Sequence, residues 1–545
     1  MQFDYTYPSS SQVVSQANQT AMSFAPDIKR EPTFFTGVLG KSLEFREAIS
    51  ALHDVVISDL RFKPKDDEAY KAWAAQREQI DWQEVAAKRS KLGSQIKVLQ
   101  EELDGLTRQS AERMKLFYDA RRTYFKYLYE KERDAWFVLD PVITVHPDEI
   151  FFECFSQDES SYGRLGASYE VFRSIGQFEC GTTNIDYSDS LYNEFQKIRS
   201  YKDTHFEVDP SGFEVQTTNE ATYKEVKIDL PDSWVRGFLQ VSSAMSLPTT
   251  SFDLHPMDVH NLCFVLRRHK EKHGPRGMRY HLTPDEPIKV VFEPWETEVV
   301  CPRSIYQGDE PDVIRVWGRR RIHILERLIP IAQKFTVHLL GTGLPSFYIA
   351  DLGHMSFTLG LSGWTANDWS QAGNFDLMAP RAEVDDYTKQ VVFTALKENW
   401  VETPDALAER LNIDRSLVLG ALGAYTQAGR AIYDLNKHQY RARELSREPL
   451  PLEKLRFANP REEAATRFIT LQKVTIINRY DDSAERIVLQ GQVKDRGKNY
   501  PSSLIIDKDQ RMVEANCTCN WHQQNKLYKG PCEHILAVRM AHNRR

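Results

Sequence analysis

The chain has 545 residues, 41% of them hydrophobic and 27% charged, which predicts several domains and excludes collagen, a coiled-coil rod and wholesale disorder. Its formal net charge of −7 argues against nucleic-acid affinity over the whole surface, yet residues 466–545 hold 14 Lys+Arg against 8 Asp+Glu, so that segment alone has the sign of a phosphate-facing surface. No apolar run reaches the ~18–20 residues that span a bilayer, the start of the chain lacks the features of a secretory leader, and seven cysteines do not make a disulfide scaffold; the expectation is a cytoplasmic protein without membrane contact.

Residues 1–33, rich in Ser, Gln and Thr, read as a disordered tail. Residues 41–139 read as helical. Ala48, Leu52, Val55 and Val56 share one face, and Pro64 ends that helix. Leu92, Ile96, Leu99, Leu103 and Leu106 then repeat at alternating spacings of four and three, the seam of an antiparallel helical hairpin.

Residues 140–380 change character and read as a mixed α+β region of one large or two small domains. Ile150–Phe155, Ile288–Phe292 and Phe335–Leu340 have strand composition, whereas Met257–Lys272 and Arg319–Gln333 read as helices. Cys154, Cys180, Cys263 and Cys301 lack paired spacing and read as buried apolar cysteines. The glycine-rich stretches 341–343 and 360–363 read as tight turns, and Arg319, Arg320 and Arg321 as ion-pair residues.

Residues 383–447 read as three short helices followed by a hairpin around Asn436. Thr403-Pro404-Asp405 is a helix start, with an N-cap hydroxyl, proline in the first turn and a carboxylate at the positive helix end. The pattern resembles a winged helix-turn-helix. Its presumed recognition helix, Arg415–Ala428, holds a single cation, poor equipment for reading bases, and the wing carries Lys437, His438, Arg441 and Arg443. A linker follows at 448–460, punctuated by proline.

Residues 461–545 read as a helix, four strands and a last helix around the most informative feature of the chain. Cys517-Thr518-Cys519 is followed, after twelve residues, by Cys532-Glu533-His534. Zinc takes four tetrahedral thiolate or imidazole ligands. On an extended segment, residues two apart face the same side, so Cys517 and Cys519 share one ion, and Gly530-Pro531 turns the chain back to bring Cys532 and His534 to a helix start. His522 competes with His534 as the fourth ligand but lacks that placement. With four protein ligands no position stays open for water or substrate, so the ion is expected to be one structural Zn2+, worth on the order of 10 kcal/mol of folding energy in small modules.

This Cys-x-Cys-x12-Cys-x-His pattern, after a hairpin and before a helix, resembles the SWIM-type zinc finger. The resemblance implies contacts with protein or nucleic acid. Phe347–Gly353 and Leu361–Thr365 also resemble segments of the large bacterial SWIM proteins, which implies partners such as a MoxR-type AAA+ ATPase or a von Willebrand factor A protein. The fold expected is thus an α+β multidomain chain: helical hairpin, central mixed region, winged-helix-like module and ββα finger. The function expected is a non-enzymatic adaptor, with a DNA-binding regulator and an enzyme sited in 140–380 as the rivals.

Overall fold

A computed structural model of the chain describes residues 12–15, 19–24, 33–58, 141–184, 203–208, 232–269, 276–363, 374–380, 384–445, 460–482 and 486–543, with a few single positions between them. The seam Leu92–Leu106, most of the expected helical hairpin and the linker lie outside the described residues. Among the described residues no helix is long and apolar enough to cross a membrane.

The central feature is an eight-stranded antiparallel sheet in the order Thr250–Leu254, Lys334–Leu339, Ser346–Asp351, Met355–Leu361, Ser161–Ser168, Glu149–Phe155, Val142–Val145, Gly181–Asn184. Glu149–Phe155 is buried along its whole length, so its near-continuous apolar run follows from cover on both faces rather than on one. One face takes the helix Ser42–Val56, whose Ala48, Leu52 and Val55 are fully buried. That is the apolar face expected from their spacing, and it lies over Gly163, where a Cβ would stand 3.2 Å from Leu52 and 3.0 Å from Val55. The helix Asp232–Met245 brings Trp234 and Phe238 against Phe155.

A five-stranded sheet, ordered Gln12–Ser15, Gln19–Phe24, Asp203–Val208, Phe34–Leu39, Phe172–Glu179, adjoins this core. Two of its strands fall within residues 1–33, read from composition as a tail. That stretch is polar, and in the sheet Gln19–Phe24 runs parallel to Asp203–Val208, a pairing partner far along the sequence. A four-stranded sheet, Thr297–Ile305, Pro287–Phe292, Met278–Leu282, Asp312–Val316, completes the central region. The stretch expected as a helix from Arg319 is instead a 3-10 segment, Arg319–Leu328, entered through Gly318 at φ 76°. Arg319 donates to the carbonyls of Gly277 and Glu293 and Arg321 to that of Ser160, while Arg327 at the far end of the segment pairs with Glu47 and Asp54.

Between 384 and 445 stand the helices Asp386–Asn399, Pro404–Leu411 and Arg415–Gln427 and a small sheet of Val401–Glu402, Gln439–Ala442 and Ala431–Asp434. They have a core of their own, with Leu396, Leu407, Val418, Leu422 and Tyr440. Thr403 caps its helix by accepting from Ala406 N at 3.2 Å, as its position before Pro404 dictates.

The last unit is a helix, Pro460–Thr470, and a four-stranded meander, Val474–Asp481, Ile487–Asp495, Lys498–Ile506, Met512–Cys517. Leu489, Val493, Leu504, Ile506 and Met512 are buried, and the helix Glu533–Asn543 covers them with Ile535, Leu536 and Val538. This hydrophobic floor fixes where the cysteines come together.

Candidate metal centre

Cys517 ends the last strand of the meander. Its partner Ser502 on the neighbouring strand donates to its sulfur at 3.4 Å. Two residues on, Cys519 caps the short helix Asn520–Asn525, its sulfur accepting from His522 N at 3.3 Å. Cys532 precedes the helix Glu533–Asn543, where its carbonyl accepts from Leu536 N at 3.1 Å, and His534 lies in the first turn. Three sulfurs and an imidazole nitrogen therefore converge within 4.8 Å of one another, all from buried residues. A tetrahedron of sulfurs around zinc at ~2.3 Å has edges of about 3.8 Å, so small rotamer adjustments close the set on one ion.

His534 is held by its surroundings. Its ring lies between Tyr500, 4.4 Å away at 20°, and Phe468, 5.6 Å away at 13°, and its Nδ1 stands 3.9 Å from the Cys517 sulfur. Neither aromatic partner carries a spacing signal of its own in the sequence. Tyr500 alternates with Ser502 and Leu504 along one strand, and that period-2 pattern was the available signal. His522, the competing ligand, is buried but is not in the converging group.

The protonation pattern tests the fit. Cys517 is held down to about 3, first by the hydrogen bond from Cys532 and then by those from His534, Ser502 and the Cys519 N–H. Cys519 falls to about 7, again through Cys532 first. Cys532 is pushed up, by its contacts with Cys517 and Cys519 first and by burial next. Burial lowers His534, but its bonds to Cys517 and Cys519 outweigh that and raise it to about 9. Three buried thiolates therefore do not coexist unaided: one sulfur and the imidazole retain protons to offset the charge. A divalent cation displaces those protons and supplies the missing positive charge. The donor set is soft and nitrogenous, which suits zinc and not magnesium or calcium.

The other cysteines stand apart from this centre. Cys154, Cys263 and Cys301 are buried, and Cys180 is half-buried. Of the basic residues near the finger, Arg539 is buried and donates to the carbonyls of Leu377, Ala379 and Gln510 at 2.8, 3.0 and 2.5 Å, and Arg511 pairs with Asp507 and Asp509. Lys494, Arg496, Lys498, Lys508 and Lys526 remain exposed.

The wing cations are also accounted for. Arg441 is fully buried and pairs with Asp148, Glu149 and Asp434, Arg443 with Glu153, and Lys437 with Asp148 and Glu149. The lone cation of the presumed recognition helix, Arg415, is bound by Asp405 and Asp509.

No curated protein matches the chain. Among solved structures it is similar to proliferating cellular nuclear antigen from Entamoeba histolytica, 9% identical over 41% of this chain and 89% of that one, with a TM-score of 0.29. Residues 504–541 match the family model of the SWIM zinc finger, and the converging cysteines and histidine lie within that match: this chain carries a SWIM zinc finger.

Proposed function

We propose that the protein is a non-enzymatic adaptor whose last module is stabilised by one structural Zn2+ held by Cys517, Cys519, Cys532 and His534. The observation that carries this reading is closure: four protein donors converge, and all four residues are buried. Catalytic zinc keeps a position for water, and this donor set has none to spare.

The central region supports the same reading. Its cleft of about 540 Å³ beside the wing is lined by Asp148, Glu149, Glu170, Asp351 and His354. Asp148 and Glu149 are paired with Lys437 and Arg441, and His354 with Glu170. Burial raises Asp148 and Glu149, but the cations beside them, Arg441 and Lys437 for the first and Arg164, Arg441 and Lys437 for the second, outweigh it and hold both carboxyls below the usual range, so they serve as fixed counter-ions. Protein partners are the expected targets, and the bacterial SWIM resemblance puts an ATPase-associated partner first among them.

Elemental analysis of the purified chain should find one zinc per chain. Cys519→Ala should lower that content and speed amide exchange over residues 498–543 at least tenfold. Metal-free wild-type protein, or unchanged exchange in the variant, would remove the zinc reading.

A nucleic-acid reading rests on a different observation. Lys494, Arg496 and Lys498 are exposed around one hairpin turn of the finger sheet, and this tip, unlike the wing, has cations available to phosphate.

A further inference from the structure

The twelve residues between the two ligand pairs do more than close a loop. They form one of the contacts between the finger and the rest of the molecule, beside those that Arg539 and Met512 make to 377–379 and Arg511 makes to the Ser246 carbonyl. Tyr528 lies so close over Gly343 that a Cβ there would stand 2.8 Å from its ring, and Gly343 has φ 77°. Gly530, at φ 81°, approaches Asn374 so closely that a Cβ would come within 2.6 Å of the Asn374 carbonyl oxygen. Both positions need glycine for the approach as well as for the backbone. The carbonyl between them, of Lys529, accepts from Asn374 Nδ2 at 3.3 Å and from Arg461 Nη1 at 2.9 Å. The Arg461 guanidinium also reaches the Pro531 carbonyl at 3.3 Å and lies 3.9 Å above the Trp521 ring. On the far side, residues 374–376 are tied to the helix Asp232–Met245, where Gln240 accepts from Phe375 N at 2.6 Å and donates to Asp376 at 2.7 Å.

A loop of twelve residues has many conformations when its ends are free and few when both ends are pinned to one ion. Cys519 and Cys532 are those ends. The ion therefore does part of the ordering that docking requires, and docking does part of the ordering that ion binding requires. Two events that share one ordering cost favour each other by the same factor.

We propose that the metal centre is a latch: occupancy by zinc and docking of the 520–531 loop onto residues 341–344 and 374–376 are coupled, so loss of the ion releases this loop from the central region, while Arg539 still holds the finger helix to 377–379 and the eight-stranded sheet stays intact. The proposal rests on the zinc reading above and adds to it a role for the ion in communicating between modules.

The test uses the full-length chain with its metal. Zinc content is first measured directly. Amide exchange is then followed with and without a zinc chelator, and the rate of zinc loss to a chelating dye is compared between wild type and Tyr528→Ala/Asn374→Ala, which alters no ligand and removes the contacts to Gly343 and to the Lys529 carbonyl. Coupling predicts that chelation speeds exchange at 341–344 and 374–376 at least tenfold with residues 149–168 unmoved, and that the double variant releases zinc at least tenfold faster. Stoichiometric zinc with unmoved exchange at 341–344 and 374–376, or with wild-type release from the variant, overturns the latch and leaves the zinc reading standing. Exchange that also rises across 149–168 overturns it as well, because the ion would then hold the whole fold. Absence of zinc removes both.

Discussion

A single buried imidazole shows how environment decides a side chain's chemistry. His146 is fully buried, with Nε2 2.6 Å from the Ala442 carbonyl and Nδ1 3.3 Å from Arg441. The neutral tautomer satisfies both, since Nε2–H donates to the carbonyl and Nδ1 accepts from the guanidinium. Burial first, and the Arg441 charge second, bring its pKa down to about 3. The unfolded chain takes up a proton near 6.5 that the folded chain refuses, so the favourable term is complete above about 6.5. It is lost as pH falls, at ~1.4 kcal/mol per pH unit, until the folded value is reached. Urea unfolding between pH 7 and 4 should show this slope, and His146→Gln should flatten it by about one proton. An unchanged slope in the variant would contradict the assignment. By contrast, the ligands of the metal centre were legible directly from their spacing, because zinc demands particular residue types. His146 carried no such signal: only the fold brings Ala442 and Arg441 to it.

The hairpin Ala431–Asp434 and Gln439–Ala442 shows how much an element's partner matters. Along its second strand Tyr440 and Ala442 turn toward the three helices and belong to their core. Arg441 and Arg443 turn the other way. Read alone, that alternation says that the charged face meets water. Here it meets the eight-stranded sheet. Arg441 reaches Asp148 at 2.8 Å, Asp434 at 2.8 Å and Glu149 at 3.2 Å, and Arg443 reaches Glu153 at 3.0 Å, which also accepts from Tyr162. Arg441→Met should cost about 3–5 kcal/mol, because buried Glu149 and Asp434 would lose a shared counter-charge. Denaturant unfolding would measure it, and a loss below ~1 kcal/mol would mean that Arg164, which contacts the same two carboxylates, suffices. Local rules performed well where an element satisfies itself. The cap at Thr403 and the helix face of Ala48, Leu52 and Val55 are examples. They failed where a distant strand decides the outcome, as in the pairing of Gln19–Phe24 with Asp203–Val208 and in the covered arginine face of the wing.

At the scale of the molecule, charge is separated as well as unevenly distributed. The chain carries −7 overall, while the finger gathers three exposed cations at one end of its sheet. Much of the basic surplus counted in the sequence is used internally: Arg539 holds the finger helix to 377–379, and Arg511 is bound by two aspartates. Of the cations gathered at the tip, Lys494, Arg496 and Lys498 remain, with Asp495 between them. If these contact phosphate, the logarithm of the binding constant should fall against the logarithm of salt concentration with a slope no steeper than about −3, since each neutralised phosphate contributes ~0.9 on duplex DNA. Replacing all three by Ala should abolish the salt dependence. Lys437→Ala on the wing should leave it unchanged, because that ammonium is already committed to Asp148 and Glu149. A slope sensitive to Lys437 would place the phosphate-binding surface on the wing, and one much steeper than −3 would add other exposed finger cations such as Lys508 and Lys526. No binding at low salt would leave the finger as a protein-contact module, with the net negative charge of the rest of the chain repelling nucleic acid from it.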